Sequence, residues 1–179
     1  SGGAVRAFGI ETSDLTDLRV GPLVQSEWSQ SYGYFYNNTS GWVKKAIYNY
    51  YTPPYTDGSV DNYVCGCVAT SGSQIMRYHS FPTASVTPVT RTCYVDGSAV
   101  SKTMKGGTYD WANMSLKPAD LDSISDVSCR AIGKLTYDVG VSIYMSWTSG
   151  GSGAFGADLA PSFTGVFGYK NAIYWQQSQ

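Results

Sequence analysis

The chain has 179 residues, of which 42% are hydrophobic and only 14% charged, and its formal net charge is −1. That length and hydrophobic share suit one domain with a packed core and argue against a disordered segment. The near-neutral balance, without a basic run, speaks against nucleic-acid binding through phosphate neutralisation, and no stretch approaches the roughly 18 apolar residues of a membrane span.

Residues 1–19 read as an extended lead-in, with Leu15, Leu18 and Val20 placed to pack it down, and 20–179 as the folded domain. The small, polar start lacks a charged and apolar leader, so the expectation is that any signal peptide or prosegment has been removed. Trp42 to Tyr51 is compatible with either a short helix or a strand. Pro53 to Ser59 is a loop by its Pro and Asp-Gly content.

From Cys67 the chain runs Val-Ala-Thr-Ser-Gly-Ser-Gln-Ile-Met-Arg-Tyr-His and stops at Phe81-Pro82. Val68, Gly72, Ile75 and Tyr78 recur at helical spacing, with Ala69, Ser73 and Met76 as a second stripe. Gly72 weakens a helix by about 1 kcal/mol relative to Ala unless something packs closely there. Cys67, at the helix start, sits among amides without acceptors at the positive end of the macrodipole. A thiol in such a place is favoured as thiolate, the nucleophilic form; the alternative is a small buried hydrophobe.

Val86 to Thr103 predicts a hairpin around Asp96-Gly97, a type I′ turn pair. Pro118 suits the first position of a helix entered from Ser115 or Leu116. Ile124, Val127, Ala131 and Leu135 continue that helix, and Gly140 suits its exit. Val141 to Met145 reads as a strand, Thr148 to Gly153 as a Ser/Gly loop, and Phe155 to Phe167 as a helix shortened by Pro161. The Ser149–Gly153 run lacks both the Lys-Ser/Thr ending of a P-loop and the spacing of a dinucleotide fingerprint.

The segment Gly66-Cys67-Val68-Ala69-Thr70, with Gln74-Ile75-Met76-Arg77-Tyr78-His79 and Pro82, resembles the active-site helix of the streptopain-like cysteine peptidases. Further blocks agree in order and spacing: Val20-Gly21-Pro22-Leu23 with Trp28 and Gln30, Tyr48 to Pro53, Tyr109 to Met114, and Leu135 to Val141 leading to Gly151-Ser152-Gly153-Ala154. The resemblance runs, with gaps, from about Val20 to Tyr169. It implies an α+β fold, the N-terminal half of a papain-like peptidase with a central active-site helix and an antiparallel β hairpin. It also implies a secreted bacterial enzyme, extracellular or at the cell surface, that hydrolyses peptides or proteins through a Cys67 acyl-enzyme. No cofactor or metal is implied. The C-x-C pair has no companion Cys/His cluster, which argues against zinc.

A papain-like thiolate needs an imidazole to share its proton and later to protonate the leaving amine. The sequence holds one histidine, His79. It lies twelve residues along the same predicted helix, roughly 18 Å from Cys67, too far for proton transfer. In the family the catalytic histidine lies well downstream, so the expectation is a complementary C-terminal chain of the same precursor that carries it. A truncated piece, or a homologue that has lost catalysis and serves as an extracellular binding or adhesion module, are the alternatives.

The resemblance also implies an oxyanion hole made by the nucleophile's own N–H and an upstream side-chain amide. Papain-like enzymes place Gln six residues before the cysteine, where this chain has Asp61. Asn62 and Gln30 are therefore the candidate donors. Gly151, Ser152 and Gly153 are the candidates for lining the substrate cleft. If Cys67 stays free, a Cys93–Cys129 disulfide is the open pairing among the other three cysteines, since a Cys65–Cys67 bridge would be strained.

Overall fold

The computed structural model describes residues 22–175, so the lead-in 1–19, Val20 and Gly21 and the final four residues lie outside the described part. Within it the architecture is α+β, as expected. Strands β1 (Tyr32–Asn37) and β2 (Gly41–Ala46) form a separate antiparallel hairpin, pairing Tyr36 with Trp42 and Tyr34 with Lys44. Helix α1 (Cys67–His79) follows a long irregular segment. Then come β3 (Thr90–Val95), β4 (Ser98–Thr103), helix α2 (Asp126–Ser142), β5 (Ser146–Trp147) and helix α3 (Leu159–Gly165). The second sheet has the order β4-β3-β5, with β5 parallel to β3.

The β3–β4 hairpin turns at Asp96 and Gly97, both at positive φ (49° and 79°), as a type I′ turn requires. Trp42 to Tyr51 resolves into β2 followed by turns. Its partner β1 is rich in the aromatic residues that strands favour. Phe35 alone in β1 is buried, while Tyr34, Tyr36 and Trp42 face solvent, so apolar side chains occupy both faces and hide the alternation.

Helix α2 corrects two expectations. Pro118 opens only a three-residue 3-10 turn (Pro118–Asp120), and the helix begins at Asp126, where the Ser125 side chain accepts the Ser128 amide. Gly140 is not the exit. The helix runs past it to Ser142, and the glycine serves close packing instead: a Cβ on Gly140 would stand 3.2 Å from the Trp147 indole. Val141 to Met145 is consequently the helix end and a turn, with the strand confined to Ser146–Trp147. Pro161 lies in the first turn of α3, where its missing N–H would have had no acceptor.

The core is built where α1 crosses α2 and the sheet covers them, around Met76, Ile132, Leu135, Val139, Met145 and Trp147. On α1 the buried stripe is Ala69, Gly72, Ser73 and Met76, whereas Ile75 and Tyr78 are exposed. A Cβ on Gly72 would come within 2.6 Å of Leu159 and 3.0 Å of Val139, so the glycine allows α1 to seat against both other helices.

One buried carboxylate gathers three donors from the 105–109 segment. Asp138, fully buried on α2, accepts hydrogen bonds from the amides of Lys105 (2.6 Å) and Gly106 (2.9 Å) and from the Tyr109 hydroxyl (2.9 Å). Burial still outweighs those donors and pushes its carboxyl up to about 6. The same contact, with desolvation leading, drives the Tyr109 phenol upward.

The Cys93–Cys129 disulfide does not form; all four cysteines are free. The Cys93 sulfur lies 3.9 Å from the carbonyl of Val141, at the opposite end of α2 from Cys129. Twelve residues of helix separate those points by roughly 18 Å, against the 7 Å limit between Cα atoms for a bridge.

Candidate active site

Cys67 is the first residue of α1 and is exposed, whereas Cys65, Cys93 and Cys129 are buried. Desolvation pushes the buried thiols up, Cys65 to about 12 and Cys93 and Cys129 to about 11. One cysteine is thus presented for chemistry and three are withheld from it. Gly66 precedes the helix at φ 93°, and it carries no capping side chain, so the first-turn amides point free beside the sulfur. The left-handed conformation makes the turn that brings the thiol to the surface. A Cβ on Gly66 would come within 2.9 Å of the Met145 sulfur and 3.1 Å of the Ser152 carbonyl.

Two distant segments flank this turn. On one side, residues 26–30 are bound along α1: Gln74 Oε1 accepts the Trp28 amide (3.1 Å) and the Ser26 hydroxyl (3.2 Å), and Thr70 Oγ1 donates to the Ser29 carbonyl (3.2 Å). The Cys65 amide then donates to the Gln30 carbonyl at 2.8 Å. Gln30, half-buried, is thereby tied by a backbone bond to the residue two before Cys67. On the other side is the Thr148–Gly153 loop, closed by reciprocal amide–carbonyl bonds between Ser146 and Gly153 (2.9 and 3.0 Å). Its Ser152 carbonyl abuts Gly66, so Gly151, Ser152 and Gly153 do lie beside the cysteine turn. Gly151, at φ 139°, takes a conformation that side chains disfavour.

Asn62 is brought nowhere useful for an oxyanion. Its Nδ2 donates to the carbonyls of Thr56 (3.0 Å) and Asn49 (3.3 Å), and its Oδ1 accepts the Tyr55 amide (2.9 Å). Asn49 reciprocates through Nδ2 to the Asn62 carbonyl (2.9 Å). The buried pair clamps the 49–63 loop and commits both N–H groups of Asn62, whereas no side-chain hydrogen bond engages Gln30 among the described residues.

His79 ends α1 at the far end from Cys67. Its ring is exposed and packs edge-on against Tyr78 (4.9 Å between centroids) and Tyr169 (6.0 Å). No described group of three or more His, Cys, Asp or Glu side chains is arranged to hold a metal ion. Sequence reasoning missed Gln74 and Thr70, the anchors of the 26–30 segment, since a polar residue on a helix gives no sign of which distant backbone it will bind.

The model of the Peptidase C10 family matches residues 42–179. Streptopain of Streptococcus pyogenes is 27% identical over 115 residues, which make up 61% of this chain and 28% of streptopain. The thiol protease/hemagglutinin PrtT of Porphyromonas gingivalis is 29% identical over 113 residues, 60% of this chain and 12% of that protein. The active interpain A cysteine protease of Prevotella intermedia superposes with a TM-score of 0.59 at 26% identity, covering 82% of this chain and 54% of that one. A prointerpain A fragment superposes with a TM-score of 0.60 at 25% identity, covering 82% and 42%. The chain therefore spans about half or less of the length of the relatives it matches, and its fold is the papain-like α+β arrangement.

Proposed function

The chain belongs to the Peptidase C10 family, and from that premise we propose that Cys67 is the nucleophile of a cysteine endopeptidase. The observation that carries this reading is the exposure of one thiol of four, in the first turn of a helix, between Gln30 and the Ser152 loop. The Cys67 sulfur attacks the carbonyl carbon of a peptide. The resulting oxyanion is held by the Cys67 amide and the Gln30 side-chain amide. Collapse of the tetrahedral species breaks the C–N bond, and the amine leaves with a proton from an imidazole. Water, activated by the same imidazole, then hydrolyses the thioester and returns the thiol. Gly151, Ser152 and Gly153 offer a wall without bulk on which the substrate backbone lies.

The imidazole comes from polypeptide other than these 179 residues, because His79 stands about 18 Å from Cys67 along the helix. A complementary C-terminal chain of the same precursor is the expected carrier, and the enzyme acts outside the bacterial cell. Mass spectrometry of the native protein tests this directly: a co-purifying histidine-bearing polypeptide is expected. An epoxide-type thiol inhibitor should label Cys67 rapidly in that material. Slow labelling without preference for Cys67 would remove the peptidase reading.

One observation favours the alternative of a non-catalytic binding or adhesion module. Tyr34, Tyr36 and Trp42 form an exposed aromatic face on the β1–β2 hairpin, Trp42 being 71% exposed. Tyrosine-rich surfaces recognise partners at low entropic cost, and that role requires no histidine.

A further inference from the structure

Beside the cysteine turn lies a pocket of about 600 Å³ whose walls include Tyr32, Tyr55, Asp61, Tyr63, Thr148 and Ser149. It opens between the same two segments that flank Cys67: the end of the 26–30 strip, which continues into Ser31 and Tyr32, and the start of the Ser/Gly loop. Its walls reach Val64, three residues before Cys67, which places it next to the cysteine turn.

Three tyrosine rings and a single carboxylate make up its chemistry. The Asp61 carboxylate makes no hydrogen bond or ion pair with any described residue; only its backbone amide is engaged, by Ser59 Oγ at 3.3 Å. Tyr63 is held by donating to Asp96 at 2.9 Å, which adds a second acidic group behind that ring. The Tyr55 amide is fixed by Asn62, so the loop that carries it is clamped. The Tyr32 ring is already occupied by a cation of the chain, Lys44 Nζ lying 4.7 Å from its centroid, so recognition falls to Tyr55, Tyr63 and Asp61. Aromatic faces and an unpaired carboxylate attract a cation together, the first through the ring quadrupole and the second through charge.

On the reading that Cys67 is a peptidase nucleophile, we propose that this pocket is a subsite selecting a lysine or arginine side chain of the substrate next to the scissile bond, with Asp61 as its specificity-determining residue. The negative charge that Asp61 places where papain-like enzymes have a neutral amide then has a use in recognition.

A fluorogenic peptide series varied between Lys, Arg, norleucine and Glu at single positions tests it on the full enzyme with its histidine-bearing polypeptide. At one position the kcat/KM for Lys or Arg should exceed that for norleucine about tenfold, the combined worth of an exposed ion pair and a cation–π contact. Asp61→Asn should bring the ratio down to about threefold, the share left to the rings, and Asp61→Lys should turn the preference towards Glu. Hydrolysis indifferent to charge at every position, or a ratio unchanged in Asp61→Asn, overturns the subsite and leaves the nucleophile standing. If no peptide is cleaved and Cys67 resists labelling, the peptidase reading has failed, and calorimetry with lysyl and norleucyl peptides judges the pocket alone. Binding of the lysyl peptide over the norleucyl one that Asp61→Asn weakens about threefold supports a cation site; equal or absent binding overturns it.

Discussion

The amide of Cys65 donates to the carbonyl of Gln30 at 2.8 Å, joining two segments that lie 35 residues apart in the chain. The bond belongs to the backbone, so it survives any change of the Gln30 side chain. It fixes where that side chain begins without consuming its amide.

Gln30→Ala should therefore separate catalysis from folding. Loss of one oxyanion donor lowers kcat by roughly 10²–10³, while stability should change by no more than about 0.5 kcal/mol. Steady-state hydrolysis and denaturant unfolding on the same preparation check it. Equal activity in the variant would remove Gln30 from the mechanism.

Gly66→Ala should damage both. The position requires φ 93°, and the new methyl would meet the Met145 thioether and the Ser152 carbonyl. A strained residue of this kind costs about 1–3 kcal/mol. The urea midpoint should drop accordingly and the rate of Cys67 alkylation should change as the loop shifts. A wild-type midpoint with an unaltered alkylation rate would show that the turn tolerates a side chain.

Asp138 should impose its own pH dependence on stability. Its carboxyl binds the proton more tightly in the folded state, near pH 6, than in an unfolded chain, near 3.9. The unfolded state thus ionises first as pH rises. The stabilisation is complete below about pH 4 and is lost through about pH 6, a swing on the order of 3 kcal/mol. Asp138→Asn cannot titrate, and it places an NH2 group against donors from Lys105, Gly106 or Tyr109. The variant should be less stable by about 1–3 kcal/mol, and its stability profile between pH 4 and 6 should be flatter. Parallel profiles for the two proteins would refute this account.

His79→Ala should leave hydrolysis within about twofold of wild type, because the ring lies at the end of α1 away from the sulfur. A small loss of stability, under about 1 kcal/mol, is expected from the removal of a residue suited to the helix C-terminus. Abolished activity with intact folding would overturn the assignment of the base to other polypeptide.

Local signals carried much of this fold into the sequence. The limits of α1 follow from Gly66 and the Phe81-Pro82 step, and the β3–β4 turn follows from Asp96-Gly97. Where reading failed, contact between distant residues decided the outcome. Ile75 and Tyr78 are large and apolar yet face water, while Gly72 and Ser73 form the buried seam, because close helix packing favours small residues over hydrophobic ones. Gly140 carries the residue type of a helix exit, but Trp147 makes it a point of close approach. For the proposed site, a cysteine at the head of α1 was legible from its own neighbourhood. That Asn62 would be committed elsewhere was not, because the Asn49 clamp joins residues whose pairing no local pattern announces.

Gly72 lies five residues after Cys67 on α1, and Leu159 and Val139 rest where its side chain would be. The depth at which α1 lies, and with it the height of the sulfur above the surface, is set from behind. Anyone diversifying this protein for new substrates should leave the rear of that helix untouched and vary its front, since a single methyl group at Gly72 would lift the nucleophile out of register with everything arranged around it.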